Sequence, residues 1–249
     1  VNYKTGPFYR FMNRLGFTFI FDNPDSWEGF HWGAVHAYGF YWRLGCPEPY
    51  DLLEDTLKNA EMIVYWASDP YASWGTYCGG ESQIWRLWTK EAGIKQVFID
   101  PFCNHTAAAI GDKWIAPKVG TDSALALAIA YVWLDDDTYD KEYLETHTIG
   151  FEQFRDYVLG KEANAPKTPQ WAEKICGVPA RHITALAREW ASKRTVLSCG
   201  VRSGFGGAGR LAYAHEWARF MVFLQAMQGL GKPGVSLWGS GMGAPFNAN

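Results

Sequence analysis

Met62-Ile63-Val64-Tyr65-Trp66, followed at once by Ala67-Ser68-Asp69-Pro70, is the stretch that decides the fold. Five apolar residues in a row, with no polar alternation, form a strand buried on both faces, as happens in a sheet covered by helices. Ser68-Asp69-Pro70 stops it, because Pro lacks the ladder N–H and Ser and Asp favour turns. A helical stretch over residues 82–92 comes next, then Gly93, then a second buried strand, Gln96-Val97-Phe98-Ile99, closed by Asp100-Pro101. Strand, helix and strand make one β-α-β unit.

Working outward, residues 51–59 read as a short helix and Trp114-Ile115-Ala116 as a short segment leading to Pro117. The turn Gly120-Thr121-Asp122 precedes an Ala/Leu/Ile-rich helix over 124–134, for which Thr121 or Asp122 is the natural N-cap. Asp135-Asp136-Asp137 reads as a solvated loop, and residues 141–158 carry helical spacing with charged faces and no functional role. Gly177-Val178-Pro179 places Pro in the first turn of a helix whose Ile183, Leu186, Ala187 and Trp190 fall on one face. Thr195-Val196-Leu197-Ser198 is a third buried strand, opening into Gly200 and a loop through Gly209. A helix over about 211–228 follows, before Gly229-Leu230-Gly231-Lys232-Pro233-Gly234. Residues 1–50, rich in Gly, Trp, His and Tyr without periodicity, form a separate segment of loops and short elements. The expected class is α/β, a mostly parallel Rossmann-like sheet covered by helices over 51–249, with ligands outside the carboxyl ends of the strands.

Composition narrows the function. A net charge of −3, with scattered basic residues, gives no cationic face for nucleic acid. The five cysteines, Cys46, Cys78, Cys103, Cys176 and Cys199, include no Cys-x-x-Cys pair, so neither a zinc site nor an iron–sulfur ligand run is encoded; they read as reduced, mostly buried thiols. No apolar run is long enough to span a bilayer and no signal-peptide layout is present, which predicts no membrane partner. Val1 is not an initiator Met and Asn249 ends a Gly-rich stretch, so the chain is expected to be an interior segment of a longer polypeptide.

Ala67-Ser68-Asp69-Pro70, Ile99-Asp100-Pro101, Gly120-Thr121-Asp122, Gly177-Val178-Pro179, Gly200 to Gly207 and Gly231-Lys232-Pro233-Gly234 occur in the order and spacing of the dimethyl sulfoxide reductase family, which the chain closely resembles. It departs from the family pattern where Lys118-Val119 separates Pro117 from Gly120 and where Met227-Gln228-Gly229 stands for Thr-Gly-Asn. The resemblance implies molybdenum or tungsten held by two molybdopterin guanine dinucleotides, with iron–sulfur clusters only in a partner small subunit. It implies that Ser68 and Asp69 line one nucleotide, that Asp100 contacts ribose or guanine, and that Asp122, after Gly120 and Thr121, accepts hydrogen bonds from the guanine edge. A carboxylate suits that edge because it only accepts, and guanine presents adjacent N–H donors. Gly200, Val201 and Arg202 would approach the second dinucleotide, Gly for close backbone approach and Arg for its forked donor. Taken singly, Asp122 is equally a helix cap, Asp100 a turn former and Arg202 a surface cation; their joint occurrence favours the site.

Family members supply a protein ligand to the metal upstream of the first motif strand, and Asp25-Ser26-Trp27-Glu28-Gly29 occupies that region. The resemblance implies Ser26 as metal ligand, a hard alkoxide oxygen suited to an oxophilic metal. It implies Asp25 as proton carrier and Trp27 as pocket wall; an Asp-Ser turn is the plain alternative. With the aromatic run from His31-Trp32-Gly33 to Tyr41-Trp42, this motif is most similar to the transhydroxylase branch. Large subunits of that branch move a hydroxyl between polyhydroxylated benzenes, from pyrogallol to phloroglucinol, without net redox change. His31 and His36 are expected to pack or to support the site indirectly. The resemblance further implies a cytoplasmic enzyme. An aromatic hydroxylase or an S- or N-oxide reductase of the same cofactor class, or a non-catalytic α/β dinucleotide-binding domain, are the alternatives; no Gly-x-Gly-x-x-Gly follows the first strand to favour a nicotinamide cofactor.

Overall fold

A computed structural model describes residues 6–16, 33, 36–37, 52–70, 81–161, 165–199 and 212–239. Within them five strands form one wholly parallel sheet: β1 (Met62–Trp66), β2 (Lys95–Ile99), β3 (Lys113–Ile115), β4 (Thr195–Cys199) and β5 (Leu237–Gly239), in the order β3-β2-β1-β4-β5. β1 lies at the centre, pairing Met62 with Lys95 and with Thr195, and Trp66 with Ile99 and with Cys199. All five of its residues are buried, which is why the sequence shows an unbroken apolar run.

Side-chain alternation divides those residues between two layers. Met62, Val64 and Trp66 join a large core with Val97, Ile99, Leu197 and Cys199, whereas Ile63 and Tyr65 face a smaller one with Phe98, Val196, Leu52 and Ile110. Tyr65 and Phe98, adjacent across the β1–β2 ladder, stack with centroids 4.5 Å apart. The helices whose bounds lie within the described residues are α1 (Gly6–Arg14), α2 (Leu52–Asn59), α3 (Glu81–Glu91), α4 (His105–Ile110), α5 (Asp122–Asp135), α6 (Lys141–His147), α7 (Phe151–Leu159), α8 (Pro169–Cys176), α9 (Ala180–Ala191) and α10 (Ala214–Met227). α2 and α4 contribute Leu52, Ala107 and Ile110 to the smaller core. α5 runs through the larger core and touches α7, α8, α9 and α10. It is apolar all round, as a helix enclosed by other helices must be. Trp133 on α5 meets Trp190 on α9 edge-on at 5.5 Å and gives its indole N–H to the Ala187 carbonyl at 2.7 Å, so even this aromatic core leaves that donor satisfied.

The structure refines several expectations. The run over 141–158 is two helices, α6 and α7, separated at Thr148-Ile149-Gly150. Thr121 occupies the N-cap position of α5 without capping it, because its hydroxyl donates instead to the Lys118 carbonyl at 2.6 Å. Pro179 is itself the N-cap residue of α9, one step ahead of the first turn. Of the Asp135–Asp137 triplet, Asp135 ends α5 and Asp136 is held by Arg188, so the stretch is not simply solvated. Cys103 is exposed, whereas Cys176 and Cys199 are buried, and all three are free thiols. No helix among the described residues is long and apolar enough to cross a membrane.

Candidate functional site at the carboxyl edge of the sheet

β2 and β3 lie to one side of β1, and β4 and β5 to the other. The chain therefore reverses its direction of travel across the sheet between β1 and β4, the topological switch point at which open parallel sheets bind ligands. Three strand exits converge here. At the β1 exit Ala67 has φ 50°, a left-handed conformation that costs a non-glycine residue about 1–3 kcal/mol. Its N–H donates to the Ile99 carbonyl at 2.8 Å, fixing this bend to the end of β2. Ser68 is buried, with its hydroxyl 3.2 Å from that of Ser198 near the end of β4, so this contact bridges the switch point itself.

Asp69 accepts at Oδ1 from the Thr106 hydroxyl at 2.6 Å and from the Thr106 N–H at 3.3 Å, and its Oδ2 lies 3.7 Å from His105 Nδ1. At the β2 exit Asp100 accepts at Oδ1 from the Phe102 N–H and at Oδ2 from the Asn104 side-chain amide, both at 3.2 Å. Its carbonyl takes the Trp114 indole N–H at 2.8 Å. At the start of α5, Asp122 accepts the Trp66 indole N–H at 2.8 Å, a bond between the last residue of β1 and a helix 56 positions further on.

Asp100 and Asp122 are only 8% and 6% exposed, and among the described residues neither has an ion-pair partner. Burial pushes the Asp100 carboxyl above the usual aspartate range; the Phe102 N–H and Asn104 amide pull it back, and the neighbouring charges of Asp69 and Asp122 raise it further. Burial likewise raises Asp122 against the pull of the Trp66 indole. Buried carboxylates are ordinarily paired with a cation. Here each meets neutral donors and retains acceptor capacity, which suits a ligand rich in N–H or O–H groups.

The predicted residues Ser68, Asp69, Asp100 and Asp122 are thus gathered at one edge. Gly120 and Thr121 belong to the turn beside it: Gly120 is exposed with φ 79° and open space where a Cβ would stand, so its contribution is backbone conformation. Asp25, Ser26, Trp27, Gly200, Val201 and Arg202 lie outside the described residues. Gly33, seven positions after Ser26, is described: a Cβ there would stand 2.2 Å from the His215 carbonyl oxygen and 2.7 Å from Ala218, so only glycine lets this segment approach α10. His36 is exposed and borders a cavity of about 440 Å³ between α6, α7 and α10, along with Tyr143, His147 and Phe154. No group of three His, Cys, Asp or Glu that could hold a metal ion occurs among the described residues. Trp66, Asn104, Thr106 and Trp114 escaped the sequence reading. Asn104, three residues before Ala107, carried an N-cap signal, but the six-residue α4 behind it is too short to show a period.

No family model matches the chain. It is 56% identical over 247 residues to the pyrogallol hydroxytransferase large subunit of Pelobacter acidigallici, an alignment that covers 99% of this chain and 28% of that protein. It is 35% identical over 202 residues to the dimethyl sulfoxide/trimethylamine N-oxide reductase of Rhodobacter capsulatus, covering 76% of this chain and 23% of the reductase. The fold is similar to that of acetylene hydratase from Pelobacter acetylenicus, with a TM-score of 0.56 at 18% identity over 84% of this chain and 25% of the hydratase. The chain spans about a quarter of the length of these proteins. Ordered motifs, a parallel sheet with acidic strand exits, and 56% identity in an alignment along nearly the whole chain place the chain, as a segment of a large subunit, in the dimethyl sulfoxide reductase family of molybdopterin enzymes.

Proposed function

We propose that this segment forms the guanine dinucleotide-binding edge of a molybdenum-dependent transhydroxylase, which moves a hydroxyl group from pyrogallol toward phloroglucinol. The observation that carries the reading is the pair Asp100 and Asp122: buried, raised in pKa by that burial, and without a cationic partner among the described residues. Carboxylates in this state fit a guanine edge, whose N–H groups supply the missing donors without adding a full charge. Identity of 56% to a pyrogallol hydroxytransferase large subunit supports the substrate class.

In this reading Asp122 receives guanine N–H donors while Trp66 fixes its other contacts, and Asp100 and Asp69 meet ribose or guanine at the adjoining exits. Gly120 and Thr121 shape the turn that presents Asp122. Gly200, Val201 and Arg202 approach the second dinucleotide. Ser26 provides the protein oxygen ligand, Asp25 moves a proton to or from a substrate hydroxyl, and Trp27 walls the pocket. The bound cofactor would supply a Lewis-acidic metal centre for phenol oxygens. An iron–sulfur small subunit as partner, tungsten as an alternative metal and a cytoplasmic setting belong to the same proposal.

A second reading, an S- or N-oxide reductase of the same class, is favoured by the 35% identity to the Rhodobacter reductase. Reduction demands an electron donor in turnover; hydroxyl exchange between two phenols does not. Metal analysis of the purified holoprotein, with guanine nucleotide counted after acid release, tests the core of the proposal. About one molybdenum or tungsten and about two guanine nucleotides per chain are expected, and Ser26→Ala should abolish turnover of pyrogallol. An active preparation lacking both metal and nucleotide would overturn it.

A further inference from the structure

We propose that Asn104 is a positioning residue: together with Thr106 it clamps the exits of β1 and β2 to each other and so fixes the spacing of Asp69 and Asp100 at the nucleotide edge. This assignment rests on the proposed function and adds to it a residue outside the motifs that identify the family. Asn104 is 1% exposed, and each polar atom of its side chain has a partner. The amide nitrogen donates to the Ser68 carbonyl on the β1 exit and to Asp100 Oδ2 on the β2 exit, both at 3.2 Å. The amide oxygen accepts from the Ala107 N–H at 2.8 Å and caps α4. Both donors and the acceptor are engaged, so Asn104 acts through its neighbours. Two residues on, the N–H and hydroxyl of Thr106 hold Asp69 Oδ1. The start of α4 therefore has one jaw on each exit.

The site needs such a clamp. The β1–β2 ladder pairs Trp66 with Ile99, and one further backbone bond joins Ala67 to Ile99. Beyond that point the β1 exit leaves through a strained left-handed residue. Asp69 and Asp100 carry like charges that oppose each other across the gap. A neutral amide bridging Ser68 and Asp100 offsets that repulsion without closing the remaining acceptor sites, as a lysine would. Aspartate at position 104 could cap α4 equally well, but it cannot donate and would bring a further negative charge to Asp100.

That difference separates the clamp from a simple helix cap. Asn104→Asp and Asn104→Ser both keep a capping oxygen and lose the amide donors. In the holoprotein Asn104→Ser should fold and melt within a few degrees of wild type, and Asn104→Asp lower, because it buries a second carboxylate against Asp100. Both should shed guanine nucleotide about tenfold faster on mild warming, as expected for losing one or two hydrogen bonds at the site. Asn104→Asp should be the worse of the two. Thr106→Val, which removes only the hydroxyl held by Asp69, should show a smaller loss and keeps the test open if position 104 tolerates neither change. Wild-type nucleotide retention in the folded Asn104 variants, or in Thr106→Val where those do not fold, would overturn the clamp alone. A wild-type holoprotein that yields no guanine nucleotide even after acid release would overturn the proposed function and the clamp with it.

Discussion

The two ends of α5 hold the same kind of side chain under opposite conditions. At its first residue Asp122 is buried, meets a neutral indole donor and has its pKa raised by desolvation. One residue past its last turn Asp136 receives Arg188 through Nε at 2.6 Å and Nη2 at 3.0 Å, and that charged fork lowers its pKa. The helix between them is a dry cylinder of Ala, Leu, Ile and Trp packed on four other helices. Position on the helix does rationalise a carboxylate at the first turn, where the macrodipole favours negative charge, and an arginine near the last. It does not rationalise burying Asp122 without a cation. A fold-stabilising carboxylate is paired by the protein; one left short of donors at a topological switch point fits the proposed role of receiving a ligand.

The largest effect that would break this contrast is expected from Asp122→Asn. The variant keeps shape and can still accept from Trp66, but it replaces charged acceptors with a neutral one and introduces two donors facing guanine's own. Losing charge-assisted bonds worth about 1.5–3 kcal/mol should weaken guanine nucleotide retention by roughly 10- to 100-fold. The same change removes a buried charge, so cofactor-free Asp122→Asn should melt no lower than cofactor-free wild type. Nucleotide counting and thermal melting on matched preparations check both halves, and a variant that loses stability while keeping its nucleotide would reverse the assignment.

How much of this contrast the sequence displays follows from the physics of each part. β1 and β2 are legible because burial on both faces demands unbroken apolar runs, and α5 is legible because enclosure demands an apolar helix. Asp69, Asp100 and Asp122 stand out because polar residues directly after such strands and before such a helix are anomalous. The contacts that organise them are not legible. Trp66 reads as one more core residue until its indole N–H is seen on Asp122, across 56 positions. Asn104 and Thr106 serve a helix only six residues long, and β5, Leu237–Gly239, is a three-residue edge with no alternation to detect. The stop between α6 and α7 is not legible because charged, helical spacing continues on both sides of it, and the extended Thr148 and left-handed Gly150 backbones mark the break.

A smaller effect sharpens the comparison through pH. Asp100 and Asp122 have folded pKa values above the ordinary 3.8, so between that value and their raised ones the native state binds more protons than the unfolded chain. Their contribution to the stability of cofactor-free protein is present in acid and lost as pH rises through the raised values. Asp136, whose pKa is lowered, works in the other sense: its contribution is present above 3.8 and is lost as pH falls through the lowered value. Melting curves of cofactor-free wild type against Asp100→Asn/Asp122→Asn should therefore converge toward acid and separate above about pH 4, with the double variant the more stable. Curves that separate above that pH with wild type the more stable would mean that the site carboxylates have cationic partners.

The smallest effect is expected where the pairing looks best. Arg188 and Asp136 make a two-point contact, but the arginine side chain is 63% exposed, so water and salt compete for both partners. Exposed pairs contribute little even with good geometry, because ordering two side chains offsets most of the weak Coulombic gain. Arg188→Ala should shift the melting midpoint by no more than about 2 °C, with most of the shift gone in about 1 M salt, where charges are screened within about 3 Å. Nucleotide content should stay at the wild-type level, since α5 separates this pair from the strand exits. A large nucleotide loss in Arg188→Ala would show that the two ends of α5 are coupled along the helix, and the division between a structural and a ligand-binding carboxylate would then have to be abandoned.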